Sequence, residues 1–201
     1  MARRPATEAQ KKAARRQIQK AAASFYAEHG AAAVSARAVA QRAGVSVGKI
    51  YAHFGSLQGL MQSLWMEPIE AINVKLWEMA AEITDPVQRL RALLNAYVEI
   101  AVTRPQLFRG AFLFVRPETM PRPDREPLDG APFASLLIST IGEGQALGVL
   151  KEGDPRKLAQ IVWAGVHGCL ALPVNLDRLD FIEPEGLAAQ MIDILLRDLS
   201  A

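Results

Sequence analysis

Apolar residues recur every three to four positions along most of this chain, and strict apolar/polar alternation is absent. That period predicts helices throughout and an all-α fold of about nine helices. The first helix is expected to start at Thr7, with Gln10 three residues on as its capping-box partner. It carries an apolar stripe of Ile18, Ala22, Phe25 and Tyr26 and stops at Gly30. Two short helices follow, opened by Ser35 and Ser46. Val34 with Val39, and Val45 with Ile50, stand at the positions that staple a helix start, and Ala43-Gly44-Val45 forms the turn between them. Ser56 opens a longer helix, which Pro68 should kink or interrupt. Beyond it, Ile69, Ile72, Leu76, Met79 and Ile83 resume an apolar face.

The later helices are punctuated by proline. Asp85-Pro86 opens one carrying Leu90, Leu93, Leu94, Tyr97 and Ile100. Pro105 opens a short aromatic helix with Phe108, Phe112 and Phe114. Pro117 to Pro132 holds five prolines and reads as a long, lid-like loop. Helix resumes from Phe133 to Leu147. Asp154-Pro155 starts another helix that ends near Leu172, before Pro173. Pro184 opens the last, with Leu187, Met191, Ile194 and Leu195 on one stripe.

Charge changes this picture. The net charge is only +2, yet ten Lys/Arg face two Glu through Ser56, and 13 face 19 Asp/Glu after it. A basic first quarter on an acidic remainder points to a polyanion partner for that quarter, or to a solvated basic tail. Half the residues are hydrophobic and 22% charged, which suits a well-packed protein and excludes disorder. The lone Cys169 offers no internal disulfide, no secretory signal is apparent, and no uninterrupted apolar stretch long enough to cross a membrane stands out. A cytoplasmic protein with no membrane partner is the expectation. His29, His53 and His167 are scattered, and neither a metal-ligand spacing nor a phosphate-binding glycine loop occurs. His167 and Cys169 are two apart on a helix and point different ways, so an enzyme is not expected, nor a metal or cofactor.

The run VSARAVAQRAGVSVGKIYAHF from Val34 to Phe54, followed by Gly55, Ser56 and Leu60, resembles the DNA-binding domain of the TetR/AcrR family. With the first helix, the likeness covers roughly residues 10–64. It implies a three-helix helix-turn-helix domain (residues 1–56) and a helical effector-binding and dimerisation domain (57–201). The recognition helix would present Val47, Gly48 and Lys49 to base edges: Lys49 to guanine or a phosphate, Val47 to a thymine methyl, Gly48 for close backbone approach. In that family, the positions of Tyr51 and His53 contact phosphates, although both could instead be packing residues with polar tips. Ser35 can offer its hydroxyl and nearby amides to a phosphate, and Arg37 can reach a base or phosphate. Arg3 and Arg4 would be a minor-groove arm or a loose tail. Leu57 departs from the family, which usually has a phosphate-binding lysine there.

Trp163-Ala-Gly-Val-His167-Gly168, with Arg104 to Arg109 upstream, resembles a Trp-His-Gly subgroup of the family's C-terminal domains. Tyr97, Phe108, Phe112, Trp163 and His167 are candidate effector-binding residues, with His167 as a hydrogen-bonding anchor; Trp163 and His167 could equally be core. Leu187, Met191, Ile194 and Leu195 would form the dimer interface of a four-helix bundle, or only pack internally. The resemblance implies a homodimeric, ligand-responsive repressor of double-stranded, palindromic operator DNA, released by a small hydrophobic or aromatic effector. A transcriptional activator, or a DNA binder that needs no effector, is the alternative.

Overall fold

Serine and threonine caps set the helix starts in the N-terminal third, as the sequence predicts. The computed structural model describes residues 7–30, 33–113 and 127–201. Thr7 caps α1 (Glu8–His29) through a reciprocal capping box with Gln10. Ser35 caps α2 (Ala36–Ala43) and Ser46 caps α3 (Val47–Phe54), each hydroxyl accepting from the amide three residues on. Gly44 ends α2 at φ 63°, ψ 35°, a left-handed conformation that a side chain would strain. α4 runs Leu57–Glu82 with Pro68 inside it. Pro68 therefore does not interrupt the helix, although it withholds one amide donor.

The chain forms two compact units, Met1–Pro68 and Ile69–Ala201. In the first, Ile18, Ala22, Val39, Ala40, Ala43, Ile50 and Leu60 form the core. Val34 and Val45, the outer members of the two staples, pack against it, as do Leu57 and Leu64 of α4. The first turns of α4 thus belong to this unit, because their leucines complete its core.

In the second unit, every α-helix after α4 among the described residues starts on proline. These are α5 (Pro86–Thr103), α6 (Pro105–Phe112), α7 (Pro132–Ala146), α8 (Pro155–Asn175) and α9 (Pro184–Leu199). At that position the missing amide costs nothing and the fixed φ favours the helix. Helix α5 is central, packing against α6, α7, α8 and α9. Its Leu90, Leu93, Leu94 and Tyr97 are essentially sealed from solvent. Among the described residues there is no strand, only an isolated bridge between Leu150 and Ser200.

Two expectations need adjustment. α8 does not stop before Pro173 but runs through it to Asn175, because a proline in the last turn removes one bond where few remain to lose. By length and composition alone α8 is apolar enough to cross a membrane, with mean hydropathy 1.3 over 18 residues, although polar residues interrupt it. Its Ala159, Val162, Val166, Cys169 and Leu170 are buried in the core of this unit, which accounts for the apolar composition. Of the expected loop from Pro117 to Pro132, Leu128–Gly130 forms a 3-10 turn. Residues 117–126, Phe114, and the Arg3/Arg4 arm lie outside the described residues.

Candidate nucleic-acid interface and ligand site

Helix α3 is held by one side and open on the other. Ile50 is fully buried, and Val47 and Phe54 pack beside it on the core. Gly48, Lys49 and Ala52 are exposed, and Tyr51 is 46% exposed, a large fraction for an aromatic ring. A Cβ placed at Gly48 would meet nothing closer than the Ser46 hydroxyl at 4.0 Å, so another molecule can approach the backbone there. Gly48, Lys49 and Tyr51 thus share the open surface. Val47 is half-buried and divided between core and surface. Ser35 and Arg37 are exposed at the start of α2, and the Ser35 hydroxyl, accepting from Ala38 N at 3.2 Å, still has its own hydrogen to donate.

His53 is half-buried, and its contribution is visible in its backbone. Its carbonyl accepts from Arg15 Nη1 at 2.6 Å. The same guanidinium donates to Glu67 through Nε (2.9 Å) and Nη2, and lies 4.3 Å from the centroid of the Phe54 ring. Arg15 therefore ties α1 to the C-terminal end of α3 and to α4. Burial pushes the Glu67 carboxyl up, but hydrogen bonds from Gln19 and Arg15, and the charge of Arg15, outweigh it and leave the group below its usual range. Gln19 also reaches the buried Ser63 hydroxyl at 3.0 Å. The sequence reading missed this clamp, because an arginine in a basic helix looks like one more DNA contact.

A second clamp joins α1 to α2. Arg42 donates to both carboxylate oxygens of Glu28 at 2.6 and 2.7 Å and to Ser24 at 2.9 Å. The hydrogen bond from Arg42, then that from Ser24, lowers the Glu28 carboxyl to about 2. Lys11 pairs with Glu8. Among the described residues, Lys12, Arg16, Lys20, Arg37 and Lys49 are exposed and form no ion pair. Among the described residues of the first quarter, these five cations carry the basic excess.

The place of the family's lysine is taken by Leu57, which packs on the core. Two residues on, a Cβ at Gly59 would stand 2.2 Å from the Phe54 carbonyl oxygen. Only glycine lets the first turn of α4 come this close to the end of α3.

In the second unit the five candidate effector residues do come together. Tyr97, 1% exposed, stacks on Phe133 and meets Phe108, Phe112 and Trp163 edge-on, with centroids 5.2 to 6.1 Å away. Its hydroxyl is 2.8 Å from His167 Nδ1. Burial pushes the Tyr97 phenol up and the His167 imidazole down, which favours the neutral form of both, and the imidazole tautomer sets which of the two donates. Phe133, the stacking partner, was not among the sequence candidates. Beside this cluster lies a cleft of about 310 Å³ lined by Ala101, Pro105, Phe108, Leu170 and Val174, with Arg109, Glu183 and Glu185 also along it.

Of the four expected interface residues, Leu187, Met191 and Leu195 are half-buried against their own core, and only Ile194 is largely exposed, at 56%. Ile161 and Leu172 on α8, and Leu176 just past its end, add exposed apolar surface that the sequence reading did not single out.

The family model for bacterial regulatory proteins of the tetR family matches residues 18–64, and a model for the tetracyclin repressor-like C-terminal domain matches residues 90–195. The chain belongs to the TetR family. It is a DNA-binding regulator of that family, and residues 18–64 contain the helix-turn-helix described above. Among solved structures, this TetR-family protein is similar to a protein of unknown function from Rhodococcus sp. RHA1. That protein is 25% identical, with TM-score 0.73 over 94% of this chain and 96% of that one. It shares its fold with FadR from Bacillus subtilis, solved with stearoyl-CoA: 20% identity, TM-score 0.73, 92% and 98% of the two chains. SmeT, solved with triclosan, is also 20% identical, with TM-score 0.72 over 94% of this chain and 92% of SmeT. No curated protein matches the chain.

Proposed function

We propose that this TetR-family protein is a homodimeric, ligand-responsive repressor that binds a palindromic operator in the cytoplasm and has no catalytic activity. The observation that carries the reading is the open face of α3. Gly48, Lys49 and Tyr51 are presented on a helix whose other side is locked into a capped, clamped core. Lys49 and Gly48 would meet base edges, while Tyr51, Ser35, Arg37 and the His53 side chain would hold phosphates. A dimer suits half-sites about one helical turn, ~34–36 Å, apart. Its interface would use Ile194, Ile161 and Leu172, with Met191, Leu195 and Leu187 as a half-buried border.

The effector would be a small hydrophobic or aromatic molecule held by Tyr97, Phe108, Phe112, Trp163 and His167. The cleft beside them favours this over an effector-independent DNA binder, and two proteins of the same fold were solved with stearoyl-CoA and triclosan. Selection of bound DNA from a random pool tests the proposal. A pseudo-palindrome is expected, lost with Lys49→Ala and weakened with Tyr51→Phe. Salt-sensitive binding without sequence preference would defeat it.

A further inference from the structure

Two buried side-chain atoms in the second unit, Thr140 Oγ1 and Trp163 Nε1, lack a hydrogen-bond partner among the described residues, and the indole stands in the aromatic cluster. Among the described residues the buried Trp163 Nε1 has no acceptor in hydrogen-bond geometry, although the Tyr97 oxygen is near enough to feel its dipole. A buried donor left unpaired is costly, and folded proteins seldom keep one without a use. This indole lies edge-on to Phe133, centroids 5.5 Å apart, and to Tyr97 at 6.1 Å. The Tyr97 hydroxyl, already bonded to His167, is the other polar group here.

Phe108 links this cluster to the cleft. Its ring lies 5.7 Å from Tyr97 and 5.7 Å from His167, and it also lines the 310 Å³ cleft. That volume is at the lower end of the about 300–1,000 Å³ usual for small-molecule sites. Phe108 sits on α6, a helix of eight residues with no side-chain cap at its start, so its movement disturbs little regular structure. The charged residues along the cleft, Arg109, Glu183 and Glu185, are exposed, whereas among the described residues the cluster behind Phe108 holds no charged group to meet a carboxylate or an ammonium.

We propose that the effector is a neutral, apolar molecule with a carbonyl-type oxygen, which enters by the cleft, displaces Phe108 and accepts the Trp163 indole hydrogen. The inference rests on the effector-binding reading above and names its ligand class. An acceptor oxygen gives Trp163 the partner that it lacks, and the aromatic rings cover the apolar body. A hydrocarbon of the same shape leaves the donor unpaired and loses about tenfold in affinity.

The test compares 4-phenyl-2-butanone with butylbenzene on the full-length protein. Binding is followed by calorimetry and by the indole N–H resonance of Trp163, assigned by its absence in Trp163→Phe. The ketone is expected to move that resonance downfield in a saturable way and to bind about tenfold tighter than the hydrocarbon. Trp163→Phe should erase the preference. Equal binding without a resonance shift, or no binding of either, would overturn the proposal. The wild-type shift needs no variant, so a Trp163→Phe protein that fails to fold does not protect the idea. Operator binding measured on the same samples separates the two readings. DNA recognition without ketone preference removes only this site, and ketone preference without DNA recognition removes the repressor.

Discussion

Arg15 is the residue whose loss most directly tests how α3 is held. In Arg15→Met the aliphatic stem stays and the guanidinium goes. The charged hydrogen bond to the His53 carbonyl is worth about 1.5–3 kcal/mol. The contact with the Phe54 ring adds about 0.5–1 kcal/mol. The pair with Glu67, with side chains 35% and 41% exposed, adds at most about 1 kcal/mol. Partial exposure favours the lower end, so a loss of about 2 kcal/mol from the N-terminal unit is expected. Because the two units have separate cores, native-state hydrogen exchange of the α3 amides is the proper readout, with urea unfolding as a companion. Lys12→Met, at an exposed cation with no ion pair among the described residues, controls for simple loss of charge. Arg15→Lys should recover little, since an ammonium cannot serve the carbonyl, the carboxylate and the ring together. A change under about 0.5 kcal/mol, or full recovery by lysine, would refute the clamp.

Other outcomes are equally open to measurement. Gly59→Ala, stabilising in an ordinary helix, should destabilise the first unit by about 1–3 kcal/mol because its Cβ would meet the Phe54 carbonyl; a raised unfolding temperature would contradict this. A carboxyl titration by NMR should find Glu28 near 2, and Arg42→Ala should return it towards 4.5. The Glu28 contribution is thus complete above about pH 4.5 and lost as the pH falls towards 2. For His167, whose folded pKa is depressed from 6.5, stability of the second unit is complete above that pH and declines as the pH falls below it towards the folded value. His167→Gln should flatten that part of the pH profile, and an unchanged slope would count against burial as the cause. Ile194→Arg should shift the proposed dimer towards monomer by light scattering while leaving the helical content intact.

How much was legible in the sequence depended on the range of each interaction. Caps, staples and the left-handed Gly44 are local, so Thr7, Ser35, Ser46 and the prolines of the later helices marked helix starts from the chain alone. The family motif around Tyr51 and His53 is also a run of neighbours. Helix ends were less legible: Pro68 looks like a break, yet packing on both sides carries the helix through, and Pro173 falls in a last turn with few bonds left to lose. Only tertiary structure decided what each basic residue does. Arg15 and Arg42 are spent on carboxylates 52 and 14 positions away, while Lys49 and Arg37 remain at the surface. It also decided that Gly59 must be glycine, that Leu187, Met191 and Leu195 lean on their own core, and that the Trp163 hydrogen is buried without a partner. A local pattern specifies what a residue can do with its neighbours in the chain. Charge pairing, close approach and burial depend on which distant segments arrive beside it, and that is a property of the folded chain.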